Sequence, residues 1–382
     1  MGIKDDVEYP EIKLAELKEW KKLDMDDVTF KDTSCCFVGG GGFGKSTKLI
    51  SLYDESCLVA SFTNKAVGNL RDRGVQNINT LSSIFSQKKD SINFGKITKI
   101  MIDEFSMVPS WIWSRLYSIK IKHPHIKFQI FGDPNQCQSI EDRYYDFMNK
   151  YLVRFLCDFN LVELNYIEGS SRYDKPLNNC LNHLLKTGKI HTDFNKSKLV
   201  KTKTNITKYN KTRKEINEMF VKSKRDWYQG MKLCCKENDK KNRLYNSEFV
   251  FITDIQGSKI SVSYEVNGES IKGNDGSNVY FPKKMFQPAF AVTVYRYQGA
   301  TISGHFNILN AEKMDLNELY TALSRATKLN HIHFHYRAIK DITFHKARES
   351  GKPTEIHPVK YKEGFIYRME NDKHNVHYIG LT

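Results

Sequence analysis

Residues 34–50, SCCFVGGGGFGKSTKLI, constrain the fold more tightly than any other stretch of the chain. Ser34 to Val38 is short, small-to-apolar and uncharged, the pattern of a strand buried on both faces of a parallel sheet. It runs directly into Gly39, Gly40, Gly41, Gly42, Phe43, Gly44, Lys45, Ser46 and Thr47, which fit G-x-x-x-x-G-K-[ST]. Glycines let backbone N–H groups close around a phosphate, and Lys45 brings charge to the β- and γ-phosphates. Ser46 offers a hydroxyl to Mg²⁺, and the helix that follows points its positive N-terminus at the anion. Strand, glycine loop and helix in this order make Gly39–Thr47 a nucleoside triphosphate site, with ATP and Mg²⁺ the expected ligands.

Further strands of the same kind follow. SCLVASFTNKAV (56–67) is an apolar run ending in Thr63, Asn64 and Lys65, and INTLSSIF (78–85) adds a second hydroxyl-rich turn at Thr80. KITKIMIDEFSM (96–107) ends its apolar run on Asp103 and Glu104. HIKFQIFGDPNQ (125–136) ends on Gly132, Asp133, Pro134, Asn135 and Gln136. Four strands with polar groups at their C-terminal ends describe a parallel α/β sheet, and ligands bind at that edge. Residues 8–22 read as an amphipathic helix beside it. After about residue 150 a second α/β half begins, broken at 231–289 by short β-rich pieces with turns at Asn267-Gly268 and Asn274-Asp275-Gly276. The fold class expected is α/β, two tandem parallel-sheet domains (1–150 and 151–345), a β-rich insertion in the second, a linker at 346–362 and a terminal β-hairpin at 363–382.

A carboxylate at the end of a strand, Asp103, suits the Mg²⁺ shell, and its neighbour Glu104 suits taking a proton from the attacking water. Gln136 lies where it senses the γ-phosphate. Arg172 and Arg325 lie in the second half, and an arginine delivered across a cleft stabilises the charge that develops in phosphoryl transfer. The formal net charge of +15 points either to a polyanionic partner or to a solvated lysine surface. The 8 cysteines include two adjacent pairs and no C-x-x-C, which fits reduced thiols and an intracellular location rather than a zinc ribbon. No apolar run reaches membrane-spanning length.

The ordered set GGGGFGKST, ASFTNKAV, IDEFS, GDPNQ, SSRYD, TVYRYQGATI and YTALSRAT resembles the motif series of superfamily 1 helicases, and within it the RecD-like branch with its eukaryotic DNA-virus members. That resemblance implies two RecA-like domains with ATP between them and single-stranded DNA, or RNA, across their top. It implies a monomer moving 5′→3′ in viral or mobile-element replication, recombination or repair, in host cytoplasm or nucleus. Under it, Lys45 and Ser46 hold phosphates and Mg²⁺, Asp103 the metal, Glu104 the water and Gln136 the γ-phosphate, with Arg172 and Arg325 as the arginines delivered across the cleft. Thr63, Asn64, Lys65, Thr80, Thr293 and Gln298 then contact the strand or couple it to ATP. Residues 1–38 contain no glutamine of the kind that reads adenine in this family. Tyr295 and Tyr297 either stack on bases or pack in the core.

Gly364-Phe365-Ile366-Tyr367 and Tyr378-Ile379-Gly380 resemble the opening hairpin of GIY-YIG endonucleases, whose later catalytic residues would fall beyond Thr382. An ordinary hairpin is the alternative. His331, His333 and His335 alternate along one strand face; with no carboxylate in phase, a half-buried strand is the expectation rather than a metal site.

Overall fold

The computed structural model describes residues 19–24, 30, 32–86, 92–139, 151–190, 202, 204–223, 226–239, 241–335, 359–361, 364–371 and 376–381. Its first unit comprises β1 (Lys21–Lys22), β2 (Cys35–Val38), α1 (Lys45–Leu52), β3 (Cys57–Ser61), α2 (Asn64–Asp72), β4 (Ile78–Thr80), α3 (Leu81–Ser86), β5 (Lys99–Asp103), α4 (Ser110–Lys122), β6 (Lys127–Gly132), α5 (Tyr151–Leu156) and β7 (Asn160–Glu163). The seven strands form one parallel sheet in the order β1-β7-β2-β6-β5-β3-β4. Strands β2, β3 and β5 are buried at every residue, because helices cover both faces.

Alternation along β2 explains one adjacent cysteine pair. Cys35 and Phe37 face one core with Leu49 and Phe131, while Cys36 faces the other with Ile102 and Ile130. All eight cysteines are buried and lie outside any disulfide.

The first sheet reaches past the boundary expected at residue 150. Helix α5 packs on α4, and β7 pairs with both β1 and β2. Lys21–Lys22, the end of the stretch expected to be helical, is strand β1. The remainder of that stretch, through residue 18, lies outside the described residues.

The second unit opens with α6 (Lys175–Thr187), whose first turn is capped by the Asp174 carboxylate on Leu177 N at 3.1 Å and whose end is Gly188 at φ 67°. After β8 (Asn205–Thr207) and α7 (Asn210–Ser223) comes the insertion. It is built from β9 (Lys232–Cys235), β10 (Phe249–Gln256), β11 (Lys259–Ser263), β12 (Phe281–Pro282) and β13 (Phe286–Pro288). These make an antiparallel sheet, β12-β11-β10-β9-β13, around Leu233, Val250, Ile260, Phe281 and Phe286. These strands run from Lys232 to Pro288.

The chain returns through β14 (Ala291–Thr293), α8 (Val294–Tyr297), β15 (Phe306–Leu309), α9 (Leu316–Leu323) and β16 (Ile332–His335). The second sheet is parallel, β14-β8-β15-β16. Strand β14 lies at its edge, and the Asn217 amide of α7 satisfies that edge: it donates to Ala291 O and accepts from Ala291 N, both at 2.9 Å.

A fourth sheet, antiparallel, joins β17 (Val359–Tyr361), β18 (Gly364–Asn371) and β19 (Val376–Leu381). Strand β17 falls inside the stretch expected to be a linker; residues 346–358 lie outside the described residues. Among the described residues no helix is long and apolar enough to cross a membrane.

Candidate nucleotide site and nucleic-acid interface

The phosphate loop joins β2 to α1, with Gly44 at φ 86° as the residue before the helix. Lys45 is buried, and its ammonium donates back to Gly39 O at 2.7 Å and Gly40 O at 2.8 Å. Burial lowers its pKa, against the pull of Asp133, Glu104 and Asp103. Those carboxylates arrive from neighbouring strand ends: Asp103 closes β5, and Asp133 follows β6. Burial and then the adjacent Glu104 push Asp103 up to about 7. Glu104 sits in the left-handed region at φ 55°, and its Oε2 is buried and accepts no hydrogen bond. A strained backbone under an orphaned carboxylate oxygen is the arrangement of a group that works on something outside the protein. Ser46 is partly buried at the start of α1, whereas Thr47 is exposed and accepts from Arg73 Nη2 at 3.2 Å.

The two arginines come from the second unit. Arg172 precedes α6 and lies directly against the loop. A Cβ added at Gly41 would meet its Nη2 at 2.3 Å, and one at Gly42 would meet its Cβ at 2.2 Å. Its guanidinium donates to Ser324 O and to Thr301 Oγ1, and burial followed by repulsion from Arg325 brings its pKa down to about 10. Arg325, 1% exposed, donates to Thr321 O, Ala300 O and Ser324 Oγ. Every hydrogen-bond partner of both guanidiniums named here is neutral, while the Glu104 carboxylate attracts both and Asp133 attracts Arg325.

Gln136 reaches the seam between the units. Its Nε2 donates to Asp133 Oδ2 at 3.2 Å, and its Oε1 is buried without a donor. The same Oδ2 accepts the Tyr320 hydroxyl of α9 at 3.0 Å, and Thr321 Oγ1 accepts Cys137 N at 2.7 Å. One helix therefore carries Tyr320 and Thr321 onto the Gln136 loop and leads into Arg325. Sequence alone assigns no role to Asp133 or Tyr320. Asp133 had a signal, since it follows an apolar strand as Asp103 does; Tyr320 stands next to an arginine motif but meets a partner 187 residues away.

The six residues expected near nucleic acid fall into four settings. Thr63 and Thr80 are helix caps, accepting Ala66 N and Ser83 N, both at 3.2 Å. Asn64 and Lys65 lie on α2 against the insertion, where Asn64 Nδ2 donates to Asn238 Oδ1 at 3.3 Å. Thr293 is partly buried ahead of α8. Gln298 is buried, and its Nε2 donates to Ser106 Oγ at 3.1 Å, two residues beyond Glu104. Gln298 is thus enclosed between the second unit and the turn after Glu104. Tyr297 is a core residue, 1% exposed, and Tyr295 packs against the same core.

Ser46 and Asp103 supply a hydroxyl and a carboxylate, hard oxygen donors that fit Mg²⁺. Among the described residues no group of histidines, cysteines and carboxylates is placed to hold a metal ion by itself. His305 Nδ1 lies 2.8 Å from His333 Nε2, so that histidine face is a pair of hydrogen-bonded rings.

A family described as an AAA domain matches residues 26–142. No curated protein matches the chain. Among solved structures, the chain is similar to the Pif1 helicase from Bacteroides in complex with ADP-AlF3 and ssDNA, at a TM-score of 0.59 and 18% identity, over 83% of this chain and 91% of that one. It is similar to Bacteroides Pif1 bound to ssDNA at 0.57 and 19%, over 80% and 89%. It is similar to the Pif1 helicase from Candida albicans at 0.57 and 14%, over 83% and 94%. The tandem α/β architecture is thus a fold these helicases share.

Proposed function

We propose that the chain is an ATP-dependent motor of the superfamily 1 helicase type, acting on single-stranded DNA. The observation that carries this reading is the composition of the site. Lys45, Asp103, Glu104 and Gln136 come from the first unit, and Arg172 and Arg325 from the second, meeting at one seam. A site divided in this way is complete only when the two units are apposed, so hydrolysis and relative movement of the units are coupled.

In this reading Lys45 leaves the Gly39 and Gly40 carbonyls to hold the β- and γ-phosphates. Glu104, with its free Oε2, orients the attacking water and takes its proton. Gln136 turns its unpaired Oε1 toward that water, and the two arginines offset charge on the transferring group. Ser46 and Asp103 would hold Mg²⁺, which supplies charge neutralisation at the phosphates. Gln298, bonded to Ser106, links the strand-binding edge of the second unit to the turn after Glu104.

Two finer features belong to the same proposal. The motif series supports the RecD-like branch, 5′→3′ travel and a viral or mobile-element role. In the terminal sheet Tyr367 opposes Gly380 and Arg368 opposes Ile379, which places the two halves of the GIY-YIG-like sequence side by side and supports that reading of the hairpin.

The test is steady-state ATPase with no nucleic acid, with single-stranded DNA and with RNA of the same sequence, beside Lys45→Ala. Stimulation by DNA is expected, with hydrolysis reduced at least about 10²-fold in the variant. Stimulation by RNA alone would move the substrate to RNA, and stimulation by neither would remove the motor.

A further inference from the structure

The phosphate-loop pattern leaves residue 43 unspecified, because the chemistry fixes only the glycine, lysine and hydroxyl positions. Here that residue is Phe43, and a large apolar ring beside a site for a polyanion needs partners of its own. The segment leading into the second unit supplies them. The Phe43 ring centre lies 5.7 Å from that of Tyr173 and 6.1 Å from that of Tyr166, and the two tyrosines stack on each other at 6.2 Å. Phe43 is partly buried and packs against the hydrophobic cores of both units.

Tyr173 follows Arg172 directly, and the two residues lie over the loop side by side. Arg172 rests on Gly41 and Gly42; a Cβ added at Gly40 would meet Tyr173 Oη at 2.7 Å and Phe43 Cζ at 2.8 Å. Gly40 is therefore small for a reason besides phosphate binding, since the phenol and the Phe43 ring fill the space a side chain would need. The far end of Tyr173, a residue 3% exposed, lies beside the Tyr320 hydroxyl, which donates to Asp133 Oδ2 at 3.0 Å. With that end enclosed, a push from Phe43 passes to the backbone at 172–173 instead of being absorbed by rotation of the phenol.

The hydrogen bonds of the loop say what would move the ring. Phe43 N–H donates to Gly40 O at 3.2 Å, and Lys45 Nζ donates to the same oxygen at 2.8 Å. A phosphate competes for both donors, since backbone N–H groups and the lysine of such a loop are what cradle it. Turning the Phe43 N–H toward a phosphate rotates the peptide on which the ring is carried, and the ring shifts against Tyr173.

Resting on the motor reading above, we propose that Phe43 is a positioning residue: its ring passes the phosphate-bound shape of the loop to Tyr173 and so sets Arg172 for phosphoryl transfer. Phosphate binding by the first unit and delivery of the second unit's arginine are then one mechanical event.

The experiment is a double-mutant cycle on kcat for DNA-stimulated ATP hydrolysis by the full chain, with KM for ATP measured in each protein. It compares the wild type, Phe43→Ala, Arg172→Ala and the double variant. Phe43→Ala lowers kcat at least about tenfold and changes KM only a few-fold, the split of a group that acts in the transition state. Arg172→Ala lowers kcat roughly 10³-fold. In its presence Phe43→Ala costs less than about twofold more, because the ring acts through the arginine. Phe43→Leu keeps an apolar side chain without the ring; its kcat falls between those of the wild type and Phe43→Ala, and it carries the cycle if Phe43→Ala does not fold.

A wild-type kcat in both Phe43 variants would overturn the proposal. So would the full tenfold loss persisting beside Arg172→Ala, which would show that Phe43 acts on the loop alone, or a loss confined to KM, which would make the ring part of the nucleotide pocket. Hydrolysis at the wild-type rate in Arg172→Ala would overturn it too, while leaving the motor to Arg325. Absence of stimulation by nucleic acid in the wild type would defeat the motor reading, and this role of Phe43 with it.

Discussion

At Gly42 the backbone holds φ 81°, and a Cβ there would lie 2.2 Å from the Cβ of Arg172. Gly42→Ala therefore meets two penalties, a left-handed conformation costing about 1–2 kcal/mol and a collision with the second unit. Urea denaturation is expected to show at least that loss, together with weakened nucleotide binding; an unchanged midpoint would mean that Arg172 does not rest on the loop in solution. Residues of this site differ in how visible they are from sequence. Lys45, Ser46, Asp103 and Glu104 are legible because the chemistry needs them next to an apolar strand, so type and position appear together. Asp133 and Tyr320 become functional only by meeting each other, and nothing local to either residue announces the pair.

Among elements, the strands legible in advance were those enclosed on both faces. β2, β3 and β5 contain no exposed residue, so β2 and β3 read as unbroken apolar or small runs, and β5 as an apolar centre between Lys99 and Asp103. β1 is a pair of exposed lysines, and β7 is four residues with a polar residue at each end; neither carries a periodic signal, and both are strands because a neighbour pairs with them. The edge of the second sheet shows how such a short element is held. Asn217, 5% exposed, is its lateral partner through two hydrogen bonds to Ala291. Asn217→Ala leaves a buried N–H and C=O of β14 without partners, a loss of about 2 kcal/mol or more. A lower urea midpoint at constant slope is the expected reading; no change would mean that water reaches this edge.

On the scale of the whole molecule, two tandem sheets and an inserted β unit were legible from the order of motifs and the change in pattern near residue 231. The seams between them were not. Asn64 meets Asn238 across 174 residues, and Cys137 meets Thr321 across 184, so these contacts are products of assembly. One seam joins α9 to the Gln136 loop, and the other joins α2 to the insertion. Helix α2 follows β3, and β3 pairs with β5, which ends on Asp103; the two seams are thus connected through a single sheet.

The central claim is that chemistry on the first unit requires a cation supplied by the second. The most direct measurement compares DNA-stimulated ATP hydrolysis, nucleotide affinity and single-strand affinity in the wild type and in Arg325→Ala. The account predicts a fall in kcat of roughly 10³-fold or more, with both affinities within a few-fold of wild type. Hydrolysis at the wild-type rate in Arg325→Ala would contradict it.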